Sequence, residues 1–549
     1  MNIRDATFDV LRRYGLTTIF ANPGSTEVTL LTDLPGDLRF VLALHEGSVV
    51  GMATGWALGS DRPALVILHT TAGLGNAIGA LATARVNRAP LVVLVGQQDR
   101  RHLSLEPFLA ARRLDEVAGP YPVWIEEPVR PQDVPGAVAR AWHEARDGRG
   151  PAVVIVPMDD WEAAADDVEI RAPARLVAAG SVDTETVRDL AALLSQARSP
   201  ALVVGAGADS AAAWDALTSL VERLGCPVWQ EAFGARAGFP QDHPRFAGHL
   251  PPGRAGVRKA LAGHDVVVAV GAPVFRQYPY EPGPLVEPGT RLAVVTDDPA
   301  EAHRSPVELA VLAPPAAACA RLLELVPART DPADRSGSGP DRRPVRDPER
   351  AETRPPAPDP PQPGEPLRAA PVLAAIAARL PRNAVVVEET PSSRPDLHAL
   401  VPAREPLGFV SAAHGGLGFG LPASIGIRMA RPDRPVVAIL GDGSTIYGVQ
   451  ALWSAAHYRV GVLAVVMANG RYAIMHELAR AHGADRAGGG GAAPWPTFDD
   501  ISMHRIAEGF GCPARRVDTY AELVRALDEV LPTLVDRKEP LVLEVVVQP

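Results

Sequence analysis

Three times along the 549-residue chain, short uninterrupted apolar runs alternate with helix-length segments. In the first series TTIFANPG, FVLALHE, PALVILHT, PLVVLVGQQ and PAVVIVPMDDW read as strands, with helical patterns over residues 47–59 and 72–86. The second begins near Ser199 with PALVVGAG, passes through helical DALTSLVERLG, and adds CPVWQEA, HDVVVAVGAP and TRLAVVTDD. The third runs NAVVVEET, helical GLPASIGIRMA, PVVAILGDGS, helical VQALWSAAHYRV, VLAVVMANG and PLVLEVVV. A run that is apolar at every position, rather than at every second one, belongs to a strand buried on both faces. That demands a parallel sheet covered by the intervening helices. The predicted fold class is α/β, with three doubly wound parallel-sheet domains, because 549 residues exceed what one core can hold. The domains fall at residues 1–175, 180–327 and 368–549. Between the last two, residues 328–367 are rich in proline and charge, nearly lack large apolar groups, and read as an extended linker.

Several function classes drop out on composition. A net charge of -10 without any compensating Lys/Arg stripe gives no support to nucleic-acid binding. The amino terminus, MNIRDATFDVLRRYG, is patterned as an amphipathic helix and lacks the apolar centre of a signal peptide. No stretch reaches about 18 consecutive apolar residues, so no membrane span is expected and the predicted location is cytoplasmic. Cys226, Cys319 and Cys512 are odd in number and without metal-ligand spacing, which fits three buried thiols in a reducing compartment.

In open parallel sheets, ligands sit beyond the carboxyl ends of the strands, where loops turn into helix amino termini. Four polar clusters fall there: NPGST at 22–26, Glu46, the His69–Thr71 triplet, and GDGST at 441–445. Gly441 and Gly443 permit close backbone approach to a phosphate, assisted by Ser444. Asp442 between them offers a carboxylate for a divalent cation, Mg2+ or Ca2+. A Gly-Asp-Gly turn is also an ordinary loop. Asn469 follows Asp442 after one helix–strand crossover, so both would sit on adjacent loops, with the Arg471 backbone carbonyl as a third oxygen.

GDGS followed after one crossover by an NG pair resembles the diphosphate-binding motif of thiamin-diphosphate enzymes. NPGSTE, LALHEGSVVGMATGWA, LHTTAGLGNAIGAL, GAPVFR and AAHGGLGFGLPASIG extend the resemblance across all three domains, to the benzoylformate decarboxylases of the pyruvate-decarboxylase-like superfamily. Only the linker and the Gly-rich segment near 486–496 fall outside it. The resemblance implies a pyrimidine-binding first domain, a central domain without cofactor, and a diphosphate- and Mg2+-binding third domain. It further implies a cofactor bridging two subunits, hence a homodimer at least, and a homotetramer as the family's usual assembly.

Residue by residue, Glu46 matches the glutamate that contacts N1′ of the aminopyrimidine, favouring the imino tautomer that forms the ylid; read alone, it could be a helix amino-terminal acid. Leu417 resembles the apolar wedge that bends the cofactor, and Tyr472 lies in the cofactor-binding stretch. His69 matches an active-site histidine able to shuttle protons. Ser25 resembles the serine that holds the substrate carboxylate, although the same sequence would serve as a turn. Thr70 and Thr71 are expected to line the pocket or, for at least one of them, to cap the following helix.

Three positions depart from the family pattern. Pro391 replaces a hydroxyl residue at the diphosphate anchor, leaving Ser392, rather than Thr390 or Ser393, as the preferred contact. Ala468 replaces the first Asn of the usual NN pair. Tyr278 stands where the family supplies a second active-site histidine. The implied reaction is nonoxidative decarboxylation of an aryl or branched 2-oxo acid to an aldehyde through an enamine. The alternative is carboligation to a 2-hydroxy ketone. A catalytically silent homologue is disfavoured by the presence of Glu46, Asp442 and Asn469. RYAIMHEL at 471–478 is expected to line the pocket, with Ile474 and Met475 bulkier than in the family, and ADRAGGGGAAPWP is either a cover or a loose loop.

Overall fold

A computed structural model describes residues 1–165, 181–328, 356–481 and 494–548. Every strand pair in its three six-stranded sheets is parallel. The first sheet comprises Thr18–Asn22, Arg39–Leu42, Ala64–Leu68, Leu91–Gln97, Trp124–Glu126 and Pro151–Pro157, laid side by side in the order second, first, third, fourth, sixth, fifth. The third sheet repeats that order with Val385–Glu389, Phe409–Ser411, Val436–Gly441, Leu463–Ala468, Ala514–Val517 and Leu541–Val546. The central sheet differs. Its strands Pro200–Val204, Val228–Gln230, Phe246–His249, Val266–Val270, Arg291–Thr296 and Leu309–Leu312 lie in the order third, second, first, fourth, fifth, sixth. The two outer domains are thus a topological pair, and the central one is wound differently.

The helix beginning at Glu46 runs to Ser60, and the one after His69 covers Thr70–Val86. Neither Thr70 nor Thr71 caps it, contrary to the sequence reading. His69 itself is the N-cap residue, and the two threonines form the first helical positions. Thr70 is buried at φ 35°, in the left-handed region that a β-branched residue seldom enters.

Helix Glu46–Ser60 is apolar almost all round, which suits a helix covered on both sides. One side meets its own sheet. The other meets Gly420–Ala430 of the third domain, where glycines replace side chains at the crossing. A Cβ on Gly55 would overlap the Ala423 carbonyl, and one on Gly426 would overlap that of Met52. Val49, Val50, Met52 and Ala53 therefore share one buried core with Leu421, Ala423, Ile425 and Ile427. The central domain is joined by polar contacts: Gln241 exchanges two hydrogen bonds with Ala403, and the Arg276 guanidinium reaches both Glu231 and the Ala413 carbonyl. Downstream of the proline-rich stretch, Leu367 is buried against the third domain, its carbonyl accepting from Gln548 N at 2.8 Å.

All three cysteines are buried and unbridged. Burial pushes the Cys319 and Cys512 thiols up to about 12, so both stay protonated and unreactive at neutral pH. Among the described residues, no helix is long and apolar enough to cross a membrane.

Candidate active site

Glu46 opens its helix at the carboxyl edge of the first sheet and is 8% exposed. Asn22, the last residue of the first strand, donates to Oε1 at 3.0 Å; Asn76, from helix Thr70–Val86, donates to Oε2 at 3.1 Å. Both oxygens are thereby aimed from opposite sides. Next along the edge, His69 Nδ1 lies 2.9 Å from the Thr26 hydroxyl and 3.1 Å from Glu27 Oε2. Glu27 is almost wholly buried and also accepts from the Gly24 amide at 2.7 Å and from the Thr26 hydroxyl. With Nδ1–H directed at Glu27, Nε2 is the ring nitrogen presented to a ligand. Ordinary side chains would not fit around this pair. A Cβ on Gly24 would lie 2.5 Å from the imidazole, and one on Gly96 would overlap Glu27. Ser25, between Gly24 and Thr26, is exposed.

The third sheet presents a second polar edge. Asp442 is 6% exposed; its Oδ1 accepts from Gly443 N at 2.8 Å, and its Oδ2 from Asn469 N at 2.9 Å and Gly470 N at 2.7 Å. Burial raises this carboxyl above the usual range, against the pull of those N–H groups. Asn469 Oδ1 accepts from Arg471 N at 3.1 Å, and the Arg471 carbonyl from Ala473 N at 3.0 Å. The crossover thus brings Asp442, Asn469 and Arg471 together as expected. Gly443 is required by close approach, since a Cβ there would lie 2.7 Å from Cε1 of Tyr472, whose ring packs edge-on against Phe498 at 4.9 Å. Ser444 is buried beside Gly441. Ser392 Oγ accepts from Ile474 N at 3.1 Å, at the start of helix Ala473–Ala481, so the strand-end loop with Pro391 reaches that helix terminus.

Leu417 is 37% exposed on the loop between Ser411 and the helix starting at Gly420. That loop is anchored by Glu389, the last residue of its strand, whose carboxylate accepts from Gly418 N at 2.5 Å and Gly420 N at 2.6 Å. Burial raises the Glu389 carboxyl, while the N–H groups of Gly420, Gly418 and Phe419 pull the other way by favouring its ionised form. Tyr278 is 58% exposed on the central domain and is not among the hydrogen-bond partners of His69 or Glu46 in the described residues. His476 accepts from Trp495 Nε1 at 3.2 Å. Most of ADRAGGGGAAPWP lies outside the described residues.

Sequence reasoning passed over Asn22, Asn76, Glu27 and Glu389. Asn22 and Glu27 sat within quoted motifs but read as turn and helix-start residues. Asn76 lies one helical turn after Ala72 in an apolar helix, where a lone amide is a usable signal.

Models of the thiamine pyrophosphate enzyme family match all three domains: the N-terminal TPP binding domain over residues 1–116, the central domain over 187–322, and the C-terminal TPP binding domain over 392–545. The chain belongs to the thiamine pyrophosphate enzymes. Within that family it is similar to the benzoylformate decarboxylase of Pseudomonas aeruginosa, 39% identical over 100% of this chain and 99% of that one. An acetolactate synthase large subunit of Parasynechococcus marenigrum is 30% identical over 84% of this chain and 75% of its own. Among solved structures, the thiamine diphosphate-dependent 4-hydroxybenzoylformate decarboxylase of Rhodococcus jostii superposes with a TM-score of 0.90 at 35% identity, covering 100% of this chain and 99% of that one.

As a thiamine pyrophosphate enzyme, the chain should offer an anion cradle and an aminopyrimidine partner, and its residues fit both. The start of helix Asp442–Ile446, with Ser444 and the close-approach Gly443, forms one wall of a cradle, and the start of helix Ala473–Ala481 with Ser392 forms another. Asp442 supplies a buried carboxylate fixed by three backbone N–H groups, whose remaining lone pairs are the donors a divalent cation takes. Glu46 supplies a carboxyl held by two asparagine amides.

Proposed function

We propose that this thiamine pyrophosphate enzyme is a 2-oxo acid decarboxylase that converts an aryl or branched 2-oxo acid to the aldehyde without oxidation. The observation carrying the proposal is the pairing of His69 with buried Glu27 on the same sheet edge as Glu46, which supplies a proton-handling group beside the cofactor partner. The benzoylformate-decarboxylase relatives support the substrate class. Bound thiamin diphosphate supplies a nucleophilic carbon and takes up the electron pair left by departing CO2.

Glu46, fixed by Asn22 and Asn76, exchanges a proton with the aminopyrimidine N1′. His69 orients the 2-oxo acid and delivers a proton through Nε2, with Glu27 holding its tautomer and ring plane. The exposed Ser25 hydroxyl receives the substrate carboxylate. Asp442, Asn469 Oδ1 and the Arg471 carbonyl would hold Mg2+, or Ca2+, as counter-ion to the diphosphate, which Ser392 and Ser444 would contact. Ile474 and the 42%-exposed Met475 border the substrate pocket. The working unit is a homodimer or a tetramer of such pairs, and its setting is the cytoplasm.

Carboligation is the second reading, favoured by Tyr278. A phenol is a poorer proton shuttle than the imidazole it replaces, which gives an acceptor carbonyl more time to compete with a proton. Mass spectrometry of products from a 2-oxo acid panel, with purified protein, thiamin diphosphate and Mg2+, separates the two. Aldehyde from aryl substrates supports decarboxylation, predominant 2-hydroxy ketone supports the second reading, and turnover of no 2-oxo acid overturns both.

A further inference from the structure

The loop carrying Leu417 is held at both ends by buried side chains whose functional role is unassigned. Upstream, Asn87 is fully buried and bonds the third domain with both halves of its amide: Nδ2 donates to the Ser411 carbonyl at 2.9 Å, and Oδ1 accepts from Ala413 N at 2.9 Å. Arg276 adds a bond to the Ala413 carbonyl at 3.3 Å. Downstream, the Glu389 carboxylate accepts from Gly418 and Gly420. The stretch between is exposed at Gly415 and Leu417, and its course depends on left-handed glycines, Gly415 at φ 79° and Gly418 at φ 91°.

The downstream end has no slack. A Cβ on Gly420 would lie 2.8 Å from Leu440 Cδ2 and 2.9 Å from Glu389 Cβ, and one on Gly418 would lie 3.0 Å from Tyr447. Gly420 starts the helix that packs on helix Glu46–Ser60, so Glu389 fastens the loop to the body that also carries Glu46. The carboxylate's two oxygens are needed together, since each answers a different amide. A single-acceptor side chain leaves one buried N–H without a partner.

We infer that Glu389 is a positioning residue that sets the height of Leu417 at the cofactor site, with Asn87 fixing the other end of the same loop. The inference rests on the reading of Leu417 as the residue beneath the cofactor. Glu389 touches neither substrate nor cofactor in this scheme; it acts through the loop.

The test separates the contact from its catalytic consequence. In the cofactor-free parent protein, hydrogen exchange should be slow at Gly418, Phe419 and Gly420 and fast at Gly416 and Leu417; uniform exchange across the loop overturns the inference without any variant. In cofactor-free Glu389→Gln, exchange at Gly418 to Gly420 should accelerate at least about tenfold, the low end of losing a bond to a buried donor, while strand Val436–Gly441 keeps its rate. Parental exchange there overturns the contact. In the loaded enzyme, Glu389→Gln should lower kcat with little change in KM, matching the pattern of Leu417→Ala. Parental turnover in Leu417→Ala overturns the reading of the loop as a cofactor support, and with it the catalytic half of the inference, independently of the exchange result.

Discussion

Glu46→Gln isolates the chemistry of the first-domain edge because the structure limits what else it can disturb. In the parent protein both Glu46 oxygens accept amide hydrogens, from Asn22 at 3.0 Å and Asn76 at 3.1 Å. A glutamine offers one acceptor and one donor, so one of the two asparagines must turn its amide over to present its oxygen. Both bonds then survive as neutral ones. The structural cost is the difference between a hydrogen bond to an ionised acceptor and an ordinary one, about 1 kcal/mol. In a chain of this size that moves the melting temperature by a few degrees at most. The catalytic cost is larger. An amide cannot exchange a proton at N1′, and losing such a group slows turnover at least about 10²-fold, a barrier increase of about 2.7 kcal/mol. Steady-state kcat at saturating thiamin diphosphate and Mg2+, beside melting curves and cofactor binding by fluorescence quenching, gives all three quantities. Near-parental kcat in a folded, loaded variant refutes the role of Glu46. Melting reduced by 10 °C or more refutes the amide-flip accounting.

Asp442→Ala should abolish Mg2+-dependent cofactor retention, since the diphosphate loses the ligand that brings its counter-ion; cofactor still co-eluting on gel filtration would contradict this. Gly426→Ala forces a methyl into the Met52 carbonyl and should destabilise the chain by about 1–3 kcal/mol or more, visible as a lower urea midpoint; an unchanged midpoint refutes the close-packed crossing. Tyr278→Phe should alter the ratio of aldehyde to ligated ketone and Tyr278→His should raise the aldehyde fraction; two variants with parental product ratios and turnover would leave Tyr278 without a chemical role. Asp209, buried between the central and third domains, has its carboxyl raised by burial to about 6. Its stabilising protonated form is complete below 3.8 and is lost as pH climbs through about 6, so Asp209→Asn should gain on the parent by on the order of 2 kcal/mol between pH 4.5 and 7.5. A constant stability gap across that range would show that Asp209 stays ionised.

The interior strands were legible because each carries an apolar run, and each appears where its run was read. The strands that escaped notice are Trp124–Glu126, Phe246–His249, Leu309–Leu312, Phe409–Ser411 and Ala514–Val517. All five lie at sheet edges. An edge strand has only one neighbour and is often half solvated, so ARRV and FAGH carry no apolar run; all five are also only three or four residues long. The site divides along a similar line. Asp442 and Asn469 were legible because one crossover fixes their spacing, and Glu46 and His69 because an ionisable residue ending an apolar run is conspicuous. Their supports were not. Glu27 and Glu389 act on partners 42 and 29 residues away respectively, and nothing local to NPGSTE or VVVEET distinguishes a carboxylate that grips a histidine or a loop from one facing water.

The topological pairing of the outer domains and the glycine crossing between them bear on how one chain keeps its two polar edges in place. Glu46 is the first residue of one crossing helix; the Glu389-anchored loop leads into the first residue of the other. Gly55 and Gly426 let the two backbones touch, so the start of each helix is fixed relative to the other by main-chain contact instead of by flexible side chains. Asn87 adds a third tie, from the end of the His69 helix to Ser411 and Ala413. The proton-handling edge and the loop edge therefore belong to one packed body, and a substitution at the crossing acts on both together. The central domain is connected differently, through polar contacts such as Arg276 with the Ala413 carbonyl and Gln241 with Ala403. Tyr278, on that domain, is not a hydrogen-bond partner of Glu46, His69 or Asp442 among the described residues, so the Tyr278 variants should leave those three residues in place.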